Sequence, residues 1–267
     1  SIINCSDKTK VSPITSEPCE YADQRPIAVM IAADPVARPL SGIAQADLVF
    51  EMQVTPNGVT RMMAVFQCHR PAEIGSIRSA RLVFIPLAAS VGAILAHWGG
   101  EKEALQELNA HVIDNVDALK YEGTTYWRKS GIKPPHNGFT TIPKIMEKAA
   151  ELNFPLTNTF SGYPHGKQER KNLTAFADSV AVNYPDPYNV VWTYQEASNR
   201  YTRSRAGTPE LDVTNGPVQA GVVILLETSS VFLDDQYIAV TVAGQGQAHI
   251  YQNGTVTGAV WKRDAAL

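Results

Sequence analysis

Two arginines three positions apart, Arg78 and Arg81, lie in the segment Ile74-Gly75-Ser76-Ile77-Arg78-Ser79-Ala80-Arg81, and a third, Arg61, opens the apolar run Arg61-Met62-Met63-Ala64-Val65-Phe66. Guanidinium forks stay charged at any working pH and grip phosphate or carboxylate oxygens two at a time. If a helix starts at this segment, Arg78 and Arg81 share a face of its first turn and its free N–H groups add to the attraction for an anion. The same cations could instead pair with Asp47 and Glu51 in an internal network. His97 ends an apolar run directly before Gly99-Gly100. An imidazole there, with a reference pKa of ~6.5, suits a general acid or base; a histidine hydrogen-bonded inside the fold is the alternative. Asp47 and Glu51, four apart in a strand-like stretch, share a face as the paired carboxylates of a glycosidase would. His136-Asn137 follow Pro134-Pro135, which should hold that loop stiff and extended, and Arg128 closes Tyr126-Trp127-Arg128 just before it. The candidate catalytic residues are therefore His97, Asp47 and His136, and the candidate ligand-binding residues Arg61, Arg78, Arg81, Glu51, Asn137 and Arg128. No metal site or cofactor follows from any spacing.

These residues need elements to hold them. Pro26 to Ala32, Leu48 to Val54, Arg61 to Gln67 and Ala93 to His97 read as strands; Leu82 to Ser90, Glu101 to Leu108 and Ile142 to Leu152 read as helices, the last with Pro143 in its first turn. After a stretch poor in aliphatics, Thr157 to Asn172, the pattern alternates with period two in Val190 to Gln195, Ala220 to Glu227, Tyr237 to Ala243, Ala248 to Gln252 and Thr255 to Trp261. Asn253-Gly254 between the last two is a hairpin signal. The expected fold is α+β: a polar N-terminal tether over 1–25, a mixed α/β layered domain over 26–156, a linker over 157–172, and a smaller, mostly antiparallel β domain over 173–267 that is cut short at its C-terminal end. The aromatic residues Trp192, Tyr194, Tyr201, Tyr237, Tyr251 and Trp261 either pack its core or form a carbohydrate platform. Arg203 and Asp212 read as a structural ion pair.

Composition narrows the function. The 267 residues carry 23 basic and 26 acidic side chains, and neither half departs from neutrality, so a nucleic-acid surface is excluded. Charged residues are 18% of the chain against a usual ~25%, a composition that suits an extracytoplasmic protein. The apolar stretch Leu82 to Ala96 is too short and too interrupted to cross a membrane. No Gly-x-Ser-x-Gly elbow, phosphate-binding loop or Cys-x-x-Cys pair is present. Cys5 before Ser6-Asp7-Lys8 is either a plain cysteine or the remnant of a lipid-modified N-terminus. Cys5 or Cys19 could bridge within the tail, and Cys68 reads as a small buried hydrophobe.

The segments Arg78-Ser79-Ala80-Arg81 and Pro135-His136-Asn137, in this order and spacing, resemble the YerB-like bacterial lipoproteins, and the similarity runs from about Pro26 through Trp261. It departs at Ala32-Ala33, where the family tends to have Asp-Asn, and at Trp98 and Glu101. The resemblance implies an extracytoplasmic envelope protein of two domains, lipid-anchored if Cys5 is acylated, whose β domain continues past Leu267. The order of arginine strand, Gly-Ser-Ile-Arg-Ser turn and strand ending at Gly-Gly is also similar to the LytR-CpsA-Psr phosphotransferases. That similarity implies arginines and an aspartate, here Arg61, Arg78, Arg81 and Asp47, around a lipid pyrophosphate. The expected ligand is an anionic or phosphorylated cell-wall glycopolymer or peptidoglycan. Its rivals are phosphotransfer or hydrolysis on such a substrate and a non-catalytic interaction module.

Overall fold

The computed structural model describes residues 10–166, 175–214 and 216–264. Cys5, Asn172 and Leu267, with the calls made on them, lie outside those residues. In the first half, β1 (Ile27–Ala32), β2 (Leu48–Gln53), β3 (Thr60–Phe66), β5 (Ile94–His97) and β6 (Asn115–Asp117) form one sheet in the order β2-β3-β1-β5-β6. A short β4 (Ile74–Gly75) joins β7 (Trp127–Arg128) and β8 (Gly138–Thr140) in a second, three-stranded sheet. Every residue of β1 and β3 is buried. Such continuous apolar strands are expected where a sheet is covered on both faces.

Both faces are indeed covered. Ile27, Val29 and Ile31 of β1 pack with Met62 and Phe66 of β3 and with Ile142, Ile145 and Ala149 of the helix Ile142–Glu151. On the other face Ala28 and Met30 pack with Phe84, Ile85 and Ala88 and with Ala104 and Leu108. These belong to a 3-10 turn Leu82–Phe84, to α1 (Ile85–Ser90) and to α2 (Lys102–Asn109). Among the described residues no helix is long and apolar enough to cross a membrane.

The register around the end of β1 decides the site. β1 runs parallel to β5 only from Ile27↔Ile94 to Val29↔Ala96, while its antiparallel pairing with β3 continues to Ala32↔Arg61. Where β5 stops pairing, the segment Ser76–Arg78 takes its place: the Arg78 amide donates to Met30 O at 2.9 Å and the Ala32 amide to Ser76 O at 3.0 Å. Arg78 is thus bonded to β1, and the helical segment begins at Leu82 as read, so Arg78 and Arg81 precede it rather than sharing its first turn. The Leu82 amide at that start donates to Glu101 Oε1 at 2.6 Å, so the helix end is capped by a carboxylate of this chain.

Among the described residues, the strands of the second half pair antiparallel. β10 (Ser179–Val182), β11 (Val190–Gln195) and β12 (Arg200–Arg205) form one sheet; Val222–Leu226, Gly244–Gln252 and Thr255–Arg263 form another, closed by the short β9 (Ala175–Phe176). The Asn253-Gly254 hairpin is present, both residues having positive φ (54° and 71°). Strand β12 has no counterpart in the sequence reading because it is rich in charge. Its Arg203 and Arg205 are nevertheless buried. They reach across to Glu51 of β2, Arg205 Nη2 at 2.7 Å and Arg203 through a closer contact, and both meet Glu210 at 3.2 Å. Arg203 therefore does not pair with Asp212, whose carboxylate accepts the Ala44 and Thr214 amides instead. Tyr188 and Val218 join the first core, so the halves share apolar interior.

Cys68 is not a lone buried thiol. It forms a disulfide with Cys19, fastening residues 10–25 to the end of β3. Gln67 supports the attachment by donating to Ala22 O and Gln24 O at 3.0 and 3.1 Å.

Candidate functional site

Arg61, Arg78, Arg81 and His136 gather beyond the carboxyl end of β1, together with Asp34 and Tyr188. Close packing builds the floor. A side chain at Gly75 would meet the Phe139 ring at 2.2 Å and one at Gly138 would meet Trp98 at 2.4 Å, so glycine at both positions lets β4 and its continuation lie on β8. The Ile77 amide donates to Gly138 O at 2.9 Å, which places Arg78 beside the loop carrying His136. That loop is a tight turn closed by the His136 amide on Lys133 O at 3.0 Å, rather than the extended stretch expected from two prolines.

The polar atoms of this group are poorly matched to one another. Among the described residues, twelve buried side-chain polar atoms lack a hydrogen-bond partner. Seven of them are here: Asp34 Oδ2, Arg61 Nε and Nη1, Ser76 Oγ, Arg78 Nε, Arg81 Nε and His136 Nδ1. Buried polar groups in native proteins are normally paired with protein or ordered water, so such a concentration singles out this end of β1 as the candidate site. Asp34 Oδ2 lies 4.0 Å from Arg78 Nε and 4.0 Å from His136 Nδ1, beyond hydrogen-bond reach of either. Arg61 is innermost, 2% exposed, whereas Asp34, Arg78, Arg81 and His136 reach solvent.

The electrostatics are those of a net positive site only partly offset by Asp34 and Glu101. Burial, followed by the charges of Arg78 and Arg81, lowers the Arg61 pKa to about 9. Burial and then Arg78 also hold the His136 pKa below the ordinary histidine range, against the opposing pull of Asp34. Arg81 is partly countered by Glu101 at 3.6 Å and lies 5.1 Å from the Tyr237 ring. Tyr188 donates its hydroxyl to Asp34 Oδ1 at 3.3 Å. Arg38 ties the two loops together, its Nη2 donating to Ala33 O at 2.7 Å and to Pro187 O at 3.1 Å. The second domain thus completes the site.

The remaining candidates are engaged elsewhere. His97 is fully buried, its Nδ1 2.8 Å from Gly99 O and its Nε2 3.2 Å from Asn115 Oδ1. Asp47 accepts the Gln67 and Cys68 amides at 2.6 and 2.9 Å, at the opposite end of β3 from Arg61. Glu51 is bound to Arg203 and Arg205, so Asp47 and Glu51 do not form a carboxylate pair, and neither pairs with Arg78 or Arg81. Arg128 grips Glu122 at 2.7 Å, covers the Trp98 ring at 4.2 Å and donates to Asn137 Oδ1 at 3.0 Å; Asn137 and Arg128 brace the β7–β8 hairpin. Tyr201 is buried and Trp192, Tyr194 and Tyr251 pack around it, while Trp261 donates Nε1–H to Glu227 O. Two surface hollows, one lined by Arg25, His111 and Asp114 and one by Thr124, Lys144 and Glu151, contain none of the clustered arginines.

Two site residues escaped the sequence reading. Asp34 had a signal, an acid two positions past an all-apolar strand, and it restores a carboxylate at the strand end where Ala32-Ala33 lack one. Tyr188 had none, because its partner is 154 positions away.

The two-domain architecture defines the class, and comparison with known proteins agrees with that division. The chain belongs to the family described as "Protein of unknown function (DUF3048)", matching its N-terminal domain over residues 13–155 and its C-terminal domain over 180–266. It is similar to "Putative lipoprotein YerB" of Bacillus subtilis (strain 168), 29% identical over 98% of this chain and 83% of that protein. The crystal structure of the B. subtilis YerB protein superposes with a TM-score of 0.87 at 28% identity, covering 95% of this chain and 87% of the other.

Proposed function

We propose that this is an extracytoplasmic protein of the bacterial envelope that binds an anionic, phosphorylated cell-wall-related ligand between Arg61, Arg78, Arg81 and His136. The observation that carries the reading is the set of buried guanidinium donors without hydrogen-bond partners at one strand end. Arg203, whose Nε likewise lacks a hydrogen bond, and Arg205 are instead matched in charge by the two carboxylates of Glu51 and Glu210. Two further facts support the location: the Cys19–Cys68 disulfide, a bond that persists in oxidising compartments, and the lipoprotein name of the B. subtilis relative. Thermal melting of the full chain with and without pyrophosphate, beside Arg78→Ala, tests it. The wild type should be stabilised by the anion and Arg78→Ala should not; equal response of the two overturns the reading.

Phosphotransfer on a pyrophosphate-linked substrate is the second reading. It is supported by Asp34 and His136, proton acceptors 4.0 Å apart beside the arginines. Turnover of a lipid-pyrophosphate that is lost in His136→Ala supports this version, and turnover retained removes His136 from the chemistry.

A further inference from the structure

The polar atoms around Asp34 do not match a bare anion. Arg61, Arg78 and Arg81 offer donors only, and donors alone accept any oxyanion of suitable size. Asp34 sets a carboxylate among them. Its Oδ1 is occupied by the Tyr188 hydroxyl at 3.3 Å, and its Oδ2 is buried without a partner, 4.0 Å from both Arg78 Nε and His136 Nδ1. The side chain is not spent on capping the 3-10 turn Pro35–Ala37 that follows it. Arg38 holds the flanking Ala33 and Pro187 carbonyls, so the carboxylate is fixed from both sides. A ligand oxygen reaching the arginines also comes up against Oδ2. If that oxygen is bare, the two anions repel; if it carries a proton, it forms a short charge-assisted O–H···O bond.

We propose, building on the anion-site reading above, that the site selects a phosphoryl oxyanion bringing its own O–H donor, either hydrogen phosphate or a hydroxyl-bearing phosphate ester. Asp34 Oδ2 is the acceptor that rejects sulfate. Charge alone does not separate the two ions. Arg61, Arg78 and Arg81, set against Asp34 and against Glu101 beside Arg81, leave a net positive site that attracts doubly charged hydrogen phosphate and doubly charged sulfate alike. They have the same tetrahedral shape. Only the proton differs, and Asp34 is placed to read it.

The test is calorimetric titration of the full chain at about pH 8, above the ordinary histidine range of ~6.5, with inorganic phosphate, glycerol 3-phosphate and sulfate. At least one phosphate should bind roughly tenfold or more tighter than sulfate, the discrimination expected when a buried charge is left unmatched. Asp34→Asn, which removes the charge and supplies an N–H, should lose that preference by gaining sulfate affinity. Tighter binding of glycerol 3-phosphate than of inorganic phosphate marks an esterified source and the reverse order marks the free ion; both support the proposal. Sulfate binding as tightly as the tighter-binding of the two phosphates overturns it and leaves the anion site standing. No binding of any of the three overturns the anion site as well. Selectivity that persists in Asp34→Asn removes Asp34 from the role. Should that variant not fold, the wild-type comparison with sulfate decides alone.

Discussion

Arg61 is a side chain that the folded protein carries at a cost. It is buried, stands among like charges, and has two nitrogens without partners. Replacing buried ionic groups by well-packed apolar side chains of similar volume is often neutral or stabilising, by ~1–4 kcal/mol for whole ion pairs. Arg61→Met is therefore expected to raise the stability of the anion-free protein while abolishing its response to pyrophosphate, a trade of function against stability. Urea unfolding with and without pyrophosphate measures both. A loss of anion-free stability would show that Arg61 serves the fold. His97, by contrast, has both ring nitrogens engaged, which makes it a strut between β5, β6 and the Gly99 turn.

At the scale of elements, strands β2 and β12 are joined by ions rather than by backbone pairing. Glu51 holds Arg203 and Arg205, with Thr60 donating its hydroxyl to Glu51 Oε1 at 2.7 Å. Burial alone would raise the Glu51 pKa, but Arg203 and Arg205 outweigh it and the net shift is downward. A carboxylate whose folded pKa is depressed contributes stability above its unfolded value, and that contribution fades as pH falls through the folded pKa. Glu51→Gln, which leaves two buried guanidiniums to share Glu210 alone, should cost ~3 kcal/mol near neutrality, the lower end of the range for breaking a buried ion pair. The gap between wild type and variant should close as pH drops below the ordinary carboxylate range. Chemical denaturation over a pH series checks the sign; a gap that widens in acid would contradict it.

For the whole molecule, the disulfide and the anion site lie at opposite ends of β3: Cys68 follows its last residue and Arg61 is near its first. Closing a loop of 49 residues contributes ~4 kcal/mol in the chain-entropy account. Cys19→Ser with Cys68→Ser should thus lower stability by ~2–4 kcal/mol and leave pyrophosphate binding unchanged. Calorimetry of the double variant with and without pyrophosphate separates the two effects, and loss of binding would refute their independence. Because Tyr188 and Val218 pack into the first core and Glu51 ties the domains, both versions should unfold in one transition.

The elements were legible in the sequence wherever burial alone dictates residue type. The apolar runs of β1, β3 and β5 and the Asn253-Gly254 turn are local statements, and so is the antiparallel second half. Arg78 and Arg81 could be grouped by their spacing, and Arg61 joined them only through the resemblance to the LytR-CpsA-Psr enzymes. What the sequence could not supply was partners. Arg203 and Arg205 look like surface charge until Glu51 comes across the seam, and Cys19 looks like a tail residue until the arm folds back to Cys68. Asp47 and His97 look reactive until backbone groups occupy them. Which charges are neutralised depends on contacts tens to more than a hundred positions apart, and only the tertiary structure brings Asp34 and Tyr188 beside the arginines and leaves Asp34 Oδ2 unpaired among their donors.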